Sequence, residues 1–160
     1  MKVICVMITI LSSALAFVPS RQASLKSFFE KPNGRRQHLH STVENIYVEP
    51  VKTRQQFNQF IEEHSNKIVV VNFCKSLCQA CKLVEPRFRE ISGMNDGPNF
   101  KFLEVNFDYD KELFADLGVQ HTPTVHMYRG GVNCKVEDFI CNSQNFGLLK
   151  MKLRKYGGKV

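Results

Sequence analysis

The chain has 160 residues, enough for one domain with a hydrophobic core and some additional chain. Its net charge is +7, but residues 1–44 hold six Lys/Arg and two Asp/Glu, so the remainder carries only +3 and the charge does not indicate nucleic-acid binding. Six cysteines are too few for a small scaffold held together by disulfides.

Residues 1–16 have the layout of a cleavable signal peptide. Lys2 precedes the apolar run 3–11, and Ala14 and Ala16 supply the small residues of a cleavage site. The run is shorter than the roughly 20 residues of a membrane-spanning helix. We therefore predict a signal peptide, with an uncleaved N-terminal anchor as the alternative.

Residues 17–44 have the composition of an organelle transit peptide, because they are rich in Lys, Arg and Ser and poor in Asp and Glu. The junction A-L-A-F-V-P at 14–19 resembles the two-part targeting sequence of algae with secondary plastids, such as diatoms, in which the transit peptide starts with Phe. This resemblance implies a plastid (chloroplast) location. The alternative is a disordered linker in a protein of the secretory pathway or ER lumen.

Residues 45–160 alternate predicted strands and helices. Apolar alternation and continuous β-branched runs predict five strands, at 46–51, 68–73, 100–107, 123–128 and 132–139. Apolar residues at helical spacing predict four helices, at 53–64, 81–91, 110–117 and 143–156. Thr53 and Ser143 are the predicted caps of the first and last helices.

The order of these elements is β-α-β-α-β-α-β-β-α. Strands that alternate with helices imply parallel crossovers, whereas Gly130 and Gly131 predict a two-residue antiparallel hairpin between the last two strands. The predicted fold class is therefore α/β, with one mixed sheet of about five strands sandwiched between helices.

Cys78 and Cys81 are the strongest candidates for chemistry, because they stand where a buried strand ends and a helix begins. The positive end of a helix favours a thiolate and lowers the pKa of the first cysteine, and Lys82 adds positive charge. We predict that Cys78 attacks a disulfide as the nucleophile and that Cys81 resolves the mixed disulfide.

A C-x-x-C pair can also be half of a zinc site, and Cys74 extends it to the spacing C-x3-C-x2-C. That spacing resembles the iron–sulfur motif of radical S-adenosylmethionine enzymes, but the domain is too short for the large barrel of those enzymes. We predict no metal, with Cys74 as a small buried apolar residue. Three histidines are assigned to the surface or to packing: His64, His121 and His126.

Four motifs follow one another along the domain: the strand 69–73 before the C-x-x-C pair, the segment 104–108, the segment 119–124 and Gly130-Gly131. In these motifs and in their order, about 110 residues of the chain resemble the thioredoxin family. The resemblance implies a thioredoxin fold and a protein disulfide oxidoreductase without a cofactor. It also implies that Thr122-Pro123 is a cis peptide beside the disulfide, where Thr122 and Leu77 contact the substrate.

The family resemblance also implies the partners. They are protein disulfide substrates, with a peroxiredoxin among the candidates, and an upstream reductase. The expected protein is a monomer that binds no nucleic acid and has no stable membrane association after processing. The alternative from another functional class is a binding or chaperone-like module with the thioredoxin fold and little catalytic turnover.

Several residues depart from the family pattern. Gln79-Ala80 replaces the usual Gly-Pro between the cysteines, which implies a less reducing couple, and Leu77 replaces a Trp. Asn72 replaces a buried aspartate that assists proton transfer, and Asn cannot ionise. Either Glu104, where the family often has Lys, substitutes for that aspartate, or the resolving step is slower.

Cys134 and Cys141 resemble the extra cysteine pair of the atypical Cys/His-rich thioredoxins of plastids. Three interpretations stay open. The two cysteines could form a structural disulfide, form a second redox pair with a regulatory role, or be unpaired core residues, because spacing in the sequence does not establish the proximity that a disulfide requires.

Overall fold

A computed structural model describes residues 47–160, so the predicted targeting segments 1–16 and 17–44 and the first residues of the predicted domain lie outside the described residues. Within 47–160, strands and helices follow one another in the predicted order. They are β1 (Glu49–Val51), α1 (Arg54–Glu63), β2 (Ile68–Cys74), α2 (Gln79–Asn95), β3 (Phe100–Asn106), α3 (Lys111–Asp116), β4 (Thr124–Tyr128), β5 (Lys135–Ile140) and α4 (Gly147–Lys155).

The strands form one mixed sheet in the order β1-β3-β2-β4-β5. The pairs β1–β3 and β2–β3 are parallel, whereas β2–β4 and β4–β5 are antiparallel. The continuous apolar run of β2 accounts for its central position, because both of its faces are covered. Pro50 lies on the edge strand β1, where a missing N–H donor is tolerated.

The helices pack on both faces of the sheet, as predicted. On one face, Val70 shares a core with Val84 of α2 and Leu149 of α4. On the other face, Val71 shares a core with Phe57 of α1 and with residues of α3. Because side chains alternate along a strand, the face that α2 covers also receives the even-numbered residues of β2 that follow Val70. Within 47–160, no helix is long and apolar enough to cross a membrane.

The predicted cap of α1 is confirmed, since the Thr53 side chain accepts the N–H of Gln56. Helix α2 begins two residues before the predicted start, at Gln79, and continues through Pro86 to Asn95. Its earlier start follows from the Cys78 side chain, which accepts a backbone N–H of the first turn and so acts as the N-cap.

The prediction of a two-residue hairpin at Gly130 and Gly131 is wrong. The loop 129–134 separates β4 from β5. Instead of closing a tight turn, the Gly130 N–H donates to the Ser65 carbonyl, which ties the loop to the segment after α1. Both glycines are still needed, because their φ angles of 94° and 113° lie in the left-handed region.

The prediction that α4 begins at Ser143 is also wrong, since the helix starts four residues later. Residues 143–146 form turns instead. The Asn142 side-chain oxygen accepts the backbone N–H groups of Gln144 and Asn145, and a side chain that binds these donors offers the backbone an alternative to the helix.

Candidate active site

Cys78 and Cys81 form a disulfide at the start of α2, with their Cα atoms 5.2 Å apart. The strand β2 ends at Cys74, and the short loop 75–77 connects it to Cys78 at the N-cap of α2. The backbone N–H of Cys81 donates to Cys78 Sγ over 3.1 Å. The predicted close pair at a strand-to-helix junction is therefore confirmed.

The two sulfurs differ in their surroundings. Cys81 is 7% exposed and contributes to the buried side of α2, whereas Cys78 is half-buried at the N-cap. In the reduced protein, the Cys81 N–H and the positive end of α2 would both stabilise a thiolate on Cys78. The accessible sulfur is thus the one that the helix activates.

Thr122 and Pro123 lie beside the disulfide, although Thr122 is 44 residues from Cys78 in the sequence. Their peptide bond is cis, as predicted. Thr122 Oγ1 and the Thr122 carbonyl oxygen lie 3.7 and 3.8 Å from Cys78 Sγ. Leu77, the residue before the pair, is 91% exposed, so an apolar side chain stands free next to the reactive sulfur.

Asn72 and Glu104 meet under α2, on the sheet face that this helix covers. They are partners in the register of β2 and β3, and Asn72 Nδ2 donates to Glu104 Oε2 over 3.3 Å. The second Asn72 atom, Oδ1, is buried without a hydrogen-bond partner. Burial raises the pKa of Glu104, and the Arg89 guanidinium of α2 partly opposes this shift.

Cys74 ends β2 near the same carboxylate. Burial, with Glu104 and Glu85 adding negative charge, raises the pKa of this thiol to about 12. Cys74 therefore stays protonated and does not compete with Cys78 as a nucleophile. Lys82, by contrast, is exposed at the first turn of α2.

We expect thiol labelling to separate these cysteines. In the reduced, folded full-length chain at mildly alkaline pH, iodoacetamide should modify Cys78 at least about tenfold faster than Cys74 or Cys141, because only a thiolate reacts. The measurement is peptide mass spectrometry at timed intervals. Labelling in denaturant, where burial is lost, is the control and should remove the difference. Equal labelling rates in the folded protein would contradict the assignment of Cys78 as the reactive thiolate.

Cys134 and Cys141 do not pair with each other. They flank β5 at opposite ends, and its six extended residues separate them by about 20 Å. A disulfide requires Cα atoms within about 7 Å. Cys141 is a fully buried free thiol, and burial raises its pKa to about 12. Of the three interpretations that the sequence left open, the two that join Cys134 to Cys141 therefore do not hold, because the strand between the two residues is extended.

The three histidines have packing or surface positions. His126 is buried, its Nδ1 lies 3.1 Å from the Tyr128 hydroxyl, and burial lowers its pKa to about 4. His64 stacks on Phe60, and His121 is exposed. Among residues 47–160, no group of three or more His, Cys, Asp or Glu side chains is arranged to hold a metal ion.

Sequence reasoning missed a hydrogen-bond network that holds the loop before Cys78. Asp108 Oδ2 accepts the backbone N–H of Ser76 over 2.9 Å, and Asn106 Nδ2 donates to the Ser76 hydroxyl over 3.1 Å. The bonds from Ser76 lower the pKa of Asp108. The available signal was a pair of Asx residues at the end of β3, Asn106 and Asp108, since parallel strands end at the same edge of a sheet.

Comparisons with known proteins agree with this geometry. The family model described as Thioredoxin matches residues 48–151. A rice protein (Oryza sativa subsp. japonica) named Thioredoxin-like 2, chloroplastic, is 28% identical over 132 residues, covering 74% of this chain and 60% of the relative. Thioredoxin-like 1-1, chloroplastic, from Arabidopsis thaliana is 29% identical over 107 residues, covering 67% and 38%. The chain thus spans less than two thirds of the length of either relative.

Solved structures show the same fold. The crystal structure of thioredoxin from Trypanosoma brucei brucei has a TM-score of 0.58 and 27% identity, covering 68% of this chain and 88% of that one. Thioredoxin f from spinach chloroplast, short form, has a TM-score of 0.58 over 68% and 92% of the two chains, and its 20% identity supports the fold alone. Because the family match covers most of the chain and includes the Cys78–Cys81 pair, the chain belongs to the thioredoxin family.

Proposed function

We propose that this protein is a thiol–disulfide oxidoreductase that exchanges a dithiol for a disulfide with target proteins. The observation that carries the proposal is the Cys78–Cys81 disulfide at the N-terminus of α2, with Thr122 beside Cys78 Sγ. A helix terminus that stabilises a thiolate, an accessible first sulfur and a buried second sulfur are what a two-step exchange requires.

The exchange starts from the reduced pair. The Cys78 thiolate attacks one sulfur of the target disulfide, a Cys78–target bond forms, and the electron pair of the broken S–S bond leaves with the other target sulfur as a thiolate. The Cys81 thiol then loses its proton, and its sulfur attacks Cys78 Sγ and releases the first target sulfur. The target disulfide is reduced to two thiols, and the Cys78–Cys81 pair is oxidised to the disulfide described above.

The target is proposed to lie against Leu77, Thr122 and Pro123. The exposed Leu77 offers apolar contact beside the reacting sulfur. The Thr122 backbone is positioned next to Cys78 and can hydrogen-bond an extended target segment, in the manner of an added strand. Asn72 and Glu104 are proposed to tune the pair from beneath α2, without contact with the target, and the positive charge of Lys82 is proposed to tune it from the first turn of that helix.

The proposal extends to the whole protein. Two relatives named above carry the word chloroplastic in their names, and with the composition of residues 17–44 this supports a plastid location. We propose a signal peptide over 1–16, a transit peptide over 17–44 and a thioredoxin domain over 45–160. The proposed partners are protein disulfides, a peroxiredoxin among them, and an upstream reductase. The protein is proposed to act as a monomer, without nucleic acid or stable membrane association.

Insulin reduction tests the proposed activity. With dithiothreitol as the electron source, the full chain should speed the precipitation of reduced insulin chains, and Cys78→Ser should reduce the rate to that of dithiothreitol alone. The measurement is turbidity against time. Leu148→Ser, an exposed change on α4 far from Cys78 in the sequence, is the matched control and should keep the wild-type rate. A wild-type chain no faster than Cys78→Ser would favour the binding or chaperone-like module instead.

A further inference from the structure

Positive charge is concentrated on the helices that cover one face of the sheet. Helices α2 and α4 carry seven Lys/Arg and two Asp/Glu. Helices α1 and α3, on the opposite face, carry two Lys/Arg and four Asp/Glu. The seven cations are Lys82, Arg87, Arg89, Lys150, Lys152, Arg154 and Lys155. The two faces therefore have opposite electrostatic character, although the net charge of the domain is small.

Some of these cations are neutralised within the domain, and others are not. Three of them form ion pairs: Arg89 with Glu85, and Lys152 and Lys155 with Glu137. The other four have no acidic partner within residues 47–160: Lys82, Arg87, Lys150 and Arg154. Arg154 donates instead to the Val160 carbonyl. Unpaired cations on a folded surface are free to attract an anionic partner from solution.

Unpaired cations form a row, and its first member, Lys82, lies next to the active-site cysteines. Lys82 and Leu83 directly follow Cys81, and Leu83 is 54% exposed. Arg87 lies one helical turn after Leu83 on the same face of α2. The row therefore starts within one turn of the disulfide and leads away from it along the helix.

Arg87 connects this row to α4. Its guanidinium lies over the Phe146 ring, 4.0 Å from the centroid, and Nη1 donates to the Ser143 carbonyl over 3.4 Å. Lys150 follows Phe146 by four residues and therefore lies one helical turn further along α4. Because Phe146 and Ser143 already hold Arg87 in place, little side-chain entropy would be lost when it binds a partner.

We name the set Lys82, Leu83, Arg87, Lys150 and Met151 the α2–α4 surface. Its apolar members, Leu83 and Met151, are 54% and 53% exposed, so the surface offers apolar contact as well as positive charge. We propose that this surface binds an acidic segment of the target protein, so that the preferred substrates are protein disulfides flanked by Asp and Glu. This inference rests on the proposed function and names its substrate class.

Complementary charge acts mainly on the rate of encounter, and it weakens as salt is added. An acidic flank on the target would be drawn toward Arg87 and Lys150 while its disulfide reaches Cys78. The acidic face formed by α1 and α3 would repel the same flank, which favours the orientation that presents the disulfide to the active site. Selectivity should therefore appear in kcat/KM at low salt.

Three synthetic peptides test the proposal on the full chain. They share one disulfide loop and differ only in a flanking segment of four residues, which is acidic, neutral or basic. If Lys82, Arg87 and Lys150 each form one surface ion pair with the peptide, kcat/KM for the acidic peptide should exceed that for the basic peptide by about tenfold at low salt. The preference should largely disappear in molar salt.

Charge reversal locates the effect. Arg87→Glu with Lys150→Glu should abolish or invert the preference, and the milder pair Arg87→Gln with Lys150→Gln should reduce it without introducing new acids. The matched control is Lys67→Glu with Arg129→Glu, which makes the same change in net charge at the end of the sheet where β2 begins and β4 ends. This control should keep the preference for the acidic peptide.

The outcomes separate the inference from the activity on which it rests. The inference would be overturned if all three peptides were reduced at equal rates, or if the preference for the acidic peptide persisted in both double variants at Arg87 and Lys150. Neither result would contradict the proposed oxidoreductase activity. A preference lost equally in the Lys67/Arg129 control would also overturn it, since net charge would then be the cause. Failure to reduce even the neutral peptide would overturn the proposed function together with the inference.

Discussion

Replacing Cys81 with Ser is expected to trap target proteins on Cys78 as stable mixed disulfides, whereas replacing Cys78 with Ser should abolish both capture and turnover. The reason is the asymmetry of the pair. Cys78 is half-buried at the N-cap of α2 and receives the Cys81 N–H, whereas Cys81 is 7% exposed. Without the Cys81 sulfur, the first exchange still occurs but nothing within the pair releases the target.

Non-reducing gel electrophoresis of the full chain mixed with an oxidised target protein measures this trap. Cys81→Ser should give a band of the combined mass that disappears on adding dithiothreitol, and steady-state insulin reduction should fall by at least about a hundredfold, since two residues that act as a unit lose most activity when either is removed. Cys141→Ser, a change at a buried thiol outside the pair, should give no trapped band. Trapping by Cys78→Ser instead would reverse the assigned roles.

The sequence was sufficient to predict the central part of the fold. The β-branched run of β2 and the turn-by-turn apolar spacing of α1 are local signals, and both elements formed where they were predicted. The C-x-x-C pair at the strand-to-helix junction was equally local. Each of these features depends on residues close together in the chain, so pattern and propensity were enough.

The wrong predictions concern segments whose backbone conformation depends on side chains or on residues far away in the sequence. The loop 129–134 is shaped by the bond from Gly130 to Ser65, and the start of α4 is delayed by the Asn142 side chain. Neither bond could be read from periodicity. The possible pairing of Cys134 with Cys141 also depended on spatial distance, which an intervening strand sets and spacing alone does not.

Hydrogen bonds between residues on neighbouring strands could not be predicted from the sequence either. The substitutions at Asn72 and Glu104 were visible, but their hydrogen bond depends on the register of β2 and β3. The network of Ser76 with Asp108 depends on the same parallel pairing. The register of β2 and β3 therefore places Asn72 beside Glu104 under α2, and periodicity in the sequence does not reveal that register.

Glu104→Gln is expected to slow the second step of the exchange by about a hundredfold at neutral pH, the lower end of general-base effects. The Cys81 thiol must lose a proton before its sulfur can attack Cys78. Asn72 cannot accept that proton, whereas Glu104 is a half-buried carboxylate on the sheet face under the helix that carries Cys81. Asn72 Oδ1, which has no partner, can accept a hydrogen bond from the protonated carboxyl after rotation of the amide.

Reaction of the reduced full chain with one equivalent of Ellman's reagent separates the two steps. Attack by Cys78 releases the first thionitrobenzoate, and attack by Cys81 on the mixed disulfide releases the second, in a phase that Cys81→Ser should lack. Glu104→Gln should slow the second phase specifically. The exchanged pair Asn72→Asp with Glu104→Gln moves the carboxylate to the neighbouring strand and should restore at least part of the rate.

The pH dependence identifies the carboxylate. A base accepts a proton only when it is ionised, so the wild-type second phase should slow as pH falls through the raised pKa of Glu104, and Glu104→Gln should lack this inflection. The same raised pKa predicts an effect on stability. Because burial disfavours the ionised carboxylate, the free energy of unfolding falls as the pH rises through the pKa of Glu104. Glu104→Gln should therefore resist urea better than wild type at neutral pH, and this difference should vanish in acid. A second phase with unchanged rate and pH profile would leave Glu104 as a bystander.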